Sequence, residues 1–339
     1  MPEQKLILRQ KPQINISCPS ISRMWLVCGV CLLCVIQSSF TDGGKSLAIA
    51  ITAFFTALLV EFLLTRRKSG TAKIKDGSAA ATAMILSILL PNQINPVYAA
   101  FGAAFAIVVV KYTFGGLGAN WLNPALGGWL FIRFSWPSAF TQALSNSSSS
   151  VNEMILAHDV SAFDNSISSF FNNTIFSAAG VQLPSGYIDL LFSSSPGIIT
   201  DRGLFALLAG TLVITALGIN RGWIPVVFLF IYGFLIRAAG NLSLGAWNGD
   251  VLYGLFSGGT IAAAFILAAE PSSGAKFKPG VLFAVILSAV FSWFFRYSCM
   301  EYTGCLIALA LVNCLTPLIR FVEDKLFLFR GGEVSEKPL

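Results

Sequence analysis

Asp76-Gly-Ser-Ala-Ala-Ala-Thr-Ala-Met-Ile-Leu-Ser-Ile-Leu-Leu-Pro91 and Gly115-Gly-Leu-Gly-Ala-Asn-Trp-Leu-Asn-Pro-Ala-Leu-Gly-Gly128 lie within one membrane-grade hydrophobic region. Glycines, two asparagines and helix-breaking prolines are out of place in a plain lipid-facing span. Lipid offers no partner to freed backbone groups, so irregular backbone at membrane depth survives only where protein buries it or it lines a cavity. The stretch therefore predicts a buried binding site inside a helical membrane protein.

Composition agrees. The chain is 55% hydrophobic and 11% charged, against about 25% charged residues in soluble proteins. Ten apolar runs of near spanning length are read at about 24–41, 46–65, 77–90, 97–114, 119–134, 203–219, 223–238, 251–268, 279–296 and 302–319, against roughly 20 residues for a full span. Several are short and carry Gly or Pro, as broken helices do. The fold class expected is an all-α integral membrane protein of about ten transmembrane helices.

Orientation follows the lysines and arginines, which favour cytoplasmic loops. With the N-terminus inside, that side collects Arg23, the Arg66-Arg67-Lys68 run, Lys111, Arg221, Lys276, Lys278 and Arg320, whereas the outer side keeps Lys45, Arg133, Arg202, Arg237 and Arg296. Both termini are expected in the cytoplasm of a multi-pass protein. The net charge of +6 reads as topology rather than nucleic-acid binding, because the cations sit at helix ends without aromatic interleaving. Residues 1–23 are too polar for a secretory signal.

The segment 136–201, rich in Ser and Asn and free of Lys and Arg, divides the runs into five and five. The domain reading is a cytoplasmic segment 1–23, a first five-helix repeat 24–135, an external loop 136–201, a second repeat 202–320 and a cytoplasmic tail 321–339. The opening motif is echoed by Ser257-Gly-Gly-Thr-Ile-Ala-Ala-Ala-Phe-Ile-Leu-Ala-Ala-Glu-Pro271 when the two prolines are superposed, and Asn120 to Leu126 is echoed by Asn313 to Leu318. Because five is odd, the second half enters the membrane with opposite polarity. This predicts an inverted repeat, a class that places ligands near the midplane between interrupted helices.

Asp76-Gly-Ser with Thr82 and Pro91, then Lys111 and the Gly-Gly-Leu-Gly to Asn-Pro-Ala stretch, then Ser257-Gly-Gly-Thr, Glu270-Pro271, Asn313 and Pro317 resemble the D subunits of Rnf ion-translocating electron-transport complexes (the RnfD/NqrB family). The related B subunit of the sodium-pumping NADH:quinone reductase is similar. The resemblance runs from about Pro19 to Val322. It implies a urea-transporter-like fold in the bacterial inner membrane that carries flavin rather than solute, electron relay coupled to Na⁺ or H⁺ movement, and partners that include the other membrane and soluble redox subunits of the complex. A riboflavin is expected in the membrane. An FMN is expected on a threonine of an Asp-x-x-Ser-x-Ala-Thr type sequence in the external segment. Here that pattern is broken: the nearest counterpart runs from Asp159 to Ser166 and places Asp164, which has no hydroxyl, where the threonine belongs. Ser161, Ser166 and Ser168 are the weak alternatives.

For a buried flavin, Asn120 and Asn123 offer donors and acceptors without a charge to desolvate. Pro124 frees backbone groups, Thr82 adds a hydroxyl, and Gly115, Gly116 and Gly118 permit close backbone approach. Polar packing between helices is the alternative role for the asparagines. Asp76 and Glu270, at the ends of the paired small-residue helices, are candidates for a cation site or proton acceptor, or else plain helix-end charges. Lys111 reads as a snorkelling lysine. Cys28, Cys31 and Cys34 read as small apolar residues, and no cluster suggests a metal. The rival reading is a channel or carrier for a small polar solute on the same scaffold; another is a scaffold subunit without covalent FMN.

Overall fold

The computed structural model describes residues 20–69, 76–113, 120–144, 162–176, 186–192, 197–241, 250–270, 274–275, 277–299 and 301–331. Gly115, Gly116, Gly118, Ser161, His158 and Pro271 lie outside them. The first half holds α1 (Ser20–Asp42), α2 (Lys45–Ser69), α3 (Ser78–Leu89), α4 (Pro96–Phe105, widening into a π-turn over Ala106–Tyr112), α5 (Pro124–Ser135) and the short α6 (Pro137–Leu144). Between the halves lie α7 (Ala162–Phe171), α8 (Tyr187–Leu191) and α9 (Ile199–Arg202). The second half holds α10 (Leu204–Ala216), α11 (Trp223–Asn241), α12 (Val251–Phe256), α13 (Thr260–Ala262, then a π-turn Ala263–Leu267), α14 (Lys278–Trp293, then a π-turn Phe294–Ser298) and α15 (Gly304–Gly331).

Five helical stretches are long and apolar enough to cross a membrane: Ile21–Asp42, Lys45–Arg66, Trp223–Gly240, Lys278–Ser298 and Gly304–Lys325. Shorter apolar helices cover Ser78–Leu89, Pro96–Tyr112 and Leu204–Ala216. Phe55, Leu59 and Leu63 on α2 and Phe230 and Phe234 on α11 face outward, where hydrocarbon rather than water suits them. No strand occurs among the described residues; Pro91 and Ile198 form one isolated antiparallel bridge. Each of the ten apolar runs meets helix, with two differences in detail. The run 119–134 becomes helical only at Pro124, and the run 251–268 is split at Ser257–Gly259 into α12 and α13.

α3 explains the architecture. All twelve of its residues are buried, so at 1.5 Å per residue it forms a core rod of about 18 Å, too short to cross hydrocarbon alone. Small residues let α1, α2 and α5 pack around it, as close helix approach in membranes requires. Its start is set by Gly77 at φ 70, where an added Cβ would meet the Trp25 ring at 2.8 Å. At its far end Leu90 is extended, and the Ile199 amide donates to Leu90 O at 2.9 Å while Thr200 Oγ1 donates to Ile88 O at 2.6 Å. Segment 197–201 thus seals the end of α3.

The same segment holds the start of α13. Asp201 accepts from Gly258 N at 3.2 Å, Gly259 N at 3.0 Å and the Tyr302 hydroxyl at 2.7 Å. α3 therefore ends where α13 begins, and the turn after α13 reaches Glu270, beside the start of α3. Gly259, at φ 75, stands directly before α13 as Gly77 stands before α3. The geometric pairing is Gly77 with Gly259 and Ser78 with Thr260, two residues off the register obtained by superposing the prolines. The echo of Asn120–Leu126 in Asn313–Leu318 does not correspond in place: Asn120 lies before α5 and Pro124 opens it, whereas Asn313 and Pro317 lie inside α15.

α4 and α5 meet at glycines. A Cβ on Gly128 would lie 2.6 Å from Gly102 O, and one on Gly102 would collide with Ile132 Cδ1. The first obstacle is backbone, which a rotamer change cannot relieve. Gly128→Ala is expected to lower stability by about 1–3 kcal/mol, read as a lower unfolding midpoint in detergent; an unchanged midpoint would contradict the close α4–α5 contact.

Candidate functional site

Residues separated by nearly the whole chain converge at the end of the bundle where α3 starts. Ser78, Thr82, Lys111, Asn120, Asn123, Pro124 and Glu270 line one cavity with Met24, Ala81 and Ile85 as apolar walls. Its volume is about 40 Å3, room for two or three waters. Of the residues expected at a site, Thr82, Asn120, Asn123, Pro124 and Glu270 are brought together here. Asp76 stands just behind, its Oδ1 accepting from Ser78 N at 3.1 Å and Ser78 Oγ at 3.0 Å.

Each polar group has local work. Asn123 Oδ1 caps α5 by accepting from Ala125 N at 2.8 Å and Leu126 N at 3.2 Å, while its Nδ2 donates to Glu270 Oε2. That ties the start of α5 to the end of the broken helix α13. Thr82 Oγ1 donates to Ser78 O at 2.8 Å, leaving lone pairs for an incoming donor. Asn120 is buried at the cavity edge.

Lys111 is not a snorkelling lysine. The π-turn Ala106–Tyr112 carries it inward, where it is 3% exposed, and its Nζ donates to Glu61 Oε1 and to Ser78 Oγ, both at 2.5 Å. Snorkelling needs a path to the interface; here α2 supplies a carboxylate inside instead. Glu61 is 1% exposed, and Tyr112 donates to its Oε1 at 3.1 Å. Its Oε2 has no hydrogen-bond partner among the described residues. π-turns recur at functional sites, and an ionisable pair at membrane depth is a functional signal in its own right.

A second buried cation sits at the opposite end. Arg296, on the π-turn after α14, is 1% exposed. It donates from Nη1 to Ser257 O at 2.7 Å, Gly254 O at 3.2 Å and Thr260 Oγ1 at 3.2 Å, and from Nη2 to Ser257 Oγ at 2.5 Å. The rings of Tyr253 and Tyr302 flank its guanidinium at 5.8 and 5.7 Å. Arg296 and Lys111 share a local geometry: each lies on a π-turn that follows an apolar helix, and each contacts the hydroxyl of the residue after a left-handed glycine, Thr260 after Gly259 and Ser78 after Gly77. Nearby, Arg133 and Glu301 form an ion pair at 3.1 Å that joins α5 to the start of α15.

In the intervening segment, Asp164 is fully buried. Its carboxylate accepts from Gly186 N at 2.9 Å, Ile188 N at 2.9 Å and Asp189 N at 3.0 Å, and Ser168 donates to it at 3.1 Å. It caps α8, a structural task, and Ser168 is buried with it. Ser166 is exposed. Tyr187 donates to Asp250 Oδ2 at 2.9 Å; burial, with that bond and the Asp250 charge, pushes its phenol up, so it stays a neutral donor.

Glu61, Arg296 and Asp201 are buried charged residues that the sequence does not single out as site residues. Glu61 has a visible signal, being the lone charge inside the apolar run 46–65. Arg296 closes an apolar run and so looks like a topology charge. Asp201 has no signal, since its partners lie 57 and 58 residues away.

For a flavin, the chemistry of the lining fits one edge of the ring. Asn120 carries amide donors and an acceptor and Thr82 carries hydroxyl lone pairs, group types that such an edge takes, and Met24, Ala81 and Ile85 supply apolar walls. About 40 Å3 receives that polar edge and does not enclose the three-ring system.

Known proteins are similar to this chain along nearly its whole length. The D subunit of the proton-translocating ferredoxin:NAD(+) oxidoreductase complex of Clostridium ljungdahlii is 29% identical over 88% of this chain and 89% of its own. The D subunit of the ion-translocating oxidoreductase complex of Yersinia pseudotuberculosis is 28% identical over 91% and 94%. The D subunit of the Na(+)-translocating ferredoxin:NAD(+) oxidoreductase complex of Acetobacterium woodii is 24% identical over 96% of both chains. The sequence model described as the NQR2, RnfD, RnfE family matches residues 7–327, so the chain belongs to that family.

Proposed function

We propose that this chain is the D-type membrane subunit of an ion-translocating oxidoreductase complex, working with the other membrane and soluble subunits rather than alone. Family membership across nearly the whole chain is the observation that carries this reading. The charges in the core support it: buried Lys111 and Glu61, with half-buried Glu270 at the cavity rim, give the bundle ionisable groups where a redox step can drive charge. In our reading the helices form two inverted five-helix repeats, urea-transporter-like, in the bacterial inner membrane with both termini cytoplasmic. The matched construction around Gly77 with Lys111 and Gly259 with Arg296 supports that repeat.

We read the α3 cavity as the place where the polar edge of a non-covalently bound riboflavin is received, by Asn120 and Thr82 between Met24, Ala81 and Ile85. A bound flavin would supply the electron-accepting chemistry that no side chain here provides. Within the chain, Asn123 orients Glu270 at the rim and Lys111 sets the positive charge beside it. Against a solute channel stands Arg296, which fills the opposite end of the core.

The purified complex should release riboflavin on denaturation, and reduction should drive Na⁺ or H⁺ movement in proteoliposomes. Absence of both flavin and ion movement would sink the reading. In denaturing gels this chain should show no acid-stable flavin fluorescence, because Asp164 carries no hydroxyl and Ser168 is buried; a fluorescent band would place FMN on another hydroxyl such as Ser161 or Ser166.

A further inference from the structure

Four hydrogen-bonded groups run in a line from the edge of the bundle to its interior. Asp76 is half-buried, Ser78 Oγ donates to its Oδ1 at 3.0 Å, Lys111 Nζ donates to Ser78 Oγ at 2.5 Å, and the same Nζ donates to the fully buried Glu61 at 2.5 Å. Glu61 keeps one oxygen without a hydrogen-bond partner among the described residues. The geometry points to a proton path, Asp76–Ser78–Lys111–Glu61, in which Lys111 is the carrier and Glu61 the buried acceptor. This rests on the proposed ion-translocating role and names residues for it.

The transfer balances without a co-reactant. Lys111 Nζ passes one proton to Glu61, breaking an N–H bond and forming an O–H bond, and leaves a neutral amine beside a neutral carboxyl. The Ser78 hydroxyl then turns to give its proton to the amine as it takes one from protonated Asp76. The lysine and serine are restored, and one proton has moved from Asp76 to Glu61. Among the described residues, the ionisable groups around Lys111 include Glu61 from α2, Asp76 before α3, Tyr112 on its own turn, and Glu270 across the cavity.

The counterpart end behaves differently. There the same position holds Arg296, which does not release its proton in proteins, and its partners are carbonyls and hydroxyls rather than a paired carboxylate. Lysine, by contrast, can both give and take a proton in a protein site. Two halves with one construction thus differ in the property a relay needs. The Arg296 end holds the broken helix; the Lys111 end carries charge.

The test is infrared difference spectroscopy of the whole complex on acidification in heavy water, which follows carboxyl protonation without redox turnover. A protonated-carboxyl band lost in Glu61→Gln identifies the acceptor. Lys111→Arg, which keeps the charge and the ion pair, is expected to slow the appearance of that band by about a hundredfold. Should that variant fail to assemble, Ser78→Ala cuts the line between Asp76 and Lys111 while sparing the pair, with the same slowing expected. The inference is overturned if the wild-type spectrum holds no Glu61 band, or if the band forms at the wild-type rate in Lys111→Arg or Ser78→Ala. Because the readout needs no electron transfer, its failure is distinguishable from failure of the redox-complex reading, which shows as absent ion movement in the wild type.

Discussion

Arg296→Met is expected to destabilise the folded chain by about 3 kcal/mol or more. Methionine fills much of the volume but donates nothing. The Ser257 and Gly254 carbonyls and the Ser257 hydroxyl then lose a charged donor in a place water does not reach. Thr260 Oγ1 still reaches both carbonyls, at 3.0 Å for Gly254 O and 2.9 Å for Ser257 O, which keeps the loss from being larger. The break between α12 and α13 carries the damage, because the carboxylate that holds the Gly258 and Gly259 amides belongs to Asp201, and Asp201 itself loses a nearby compensating charge. The variant Arg296→Lys restores that charge but not the fork that serves Ser257 O and Ser257 Oγ together, so its midpoint should fall between the other two. Unfolding of the purified chain in detergent, followed by helical signal, reads the order. Equal midpoints for wild type and Arg296→Met would show that the guanidinium does not hold the broken helix.

Legibility in the sequence differs between the helices and the site. Long apolar runs such as 46–65 declare α2 because lipid demands length and apolarity, and structure and sequence agree there to within a few residues. The breaks are legible too, since Gly77 and Gly259 take left-handed φ values that other residues avoid. Register is not: superposing the two prolines sets Gly77 against Ser257, whereas the left-handed glycine directly before α13 is Gly259. Within the site, Asn123 and Glu270 are marked by residue type, but their direct contact spans 147 residues, a distance that periodicity cannot bridge. A lysine near a helix end ordinarily snorkels. Lys111 departs from that pattern because a π-turn draws it inward and Glu61, on a different helix, receives it. Around Asp164 the sequence shows only a broken flavin-attachment pattern, and it does not show what the carboxylate holds, three amides at α8 that lie 22 to 25 residues downstream.

Glu61→Ala is expected to be among the most damaging single changes in the membrane core, costing about 3–5 kcal/mol. The cost does not measure the strength of the ion pair. For a carboxylate and an ammonium brought out of water, lost hydration offsets much of their attraction, so the intact pair adds little to stability on balance. Removing Glu61 leaves the Lys111 ammonium buried with Ser78 Oγ but without its carboxylate, and that uncompensated charge is the source of the instability. A double variant separates the two effects. Glu61→Ala combined with Lys111→Met, which removes both charges, should recover most of the lost stability, although proton or ion movement stays absent. Glu61→Gln should fall between, because an amide oxygen still accepts from Lys111 Nζ and Tyr112 Oη. Unfolding midpoints of Glu61→Ala, Lys111→Met and the double variant, set against wild type, complete a double-mutant cycle. A coupling energy near zero, with the double variant as unstable as the summed singles, would mean that the 2.5 Å contact carries no mutual compensation. A large coupling with stability restored and transport lost would mean that the pair is kept for charge movement, since the fold stands without it.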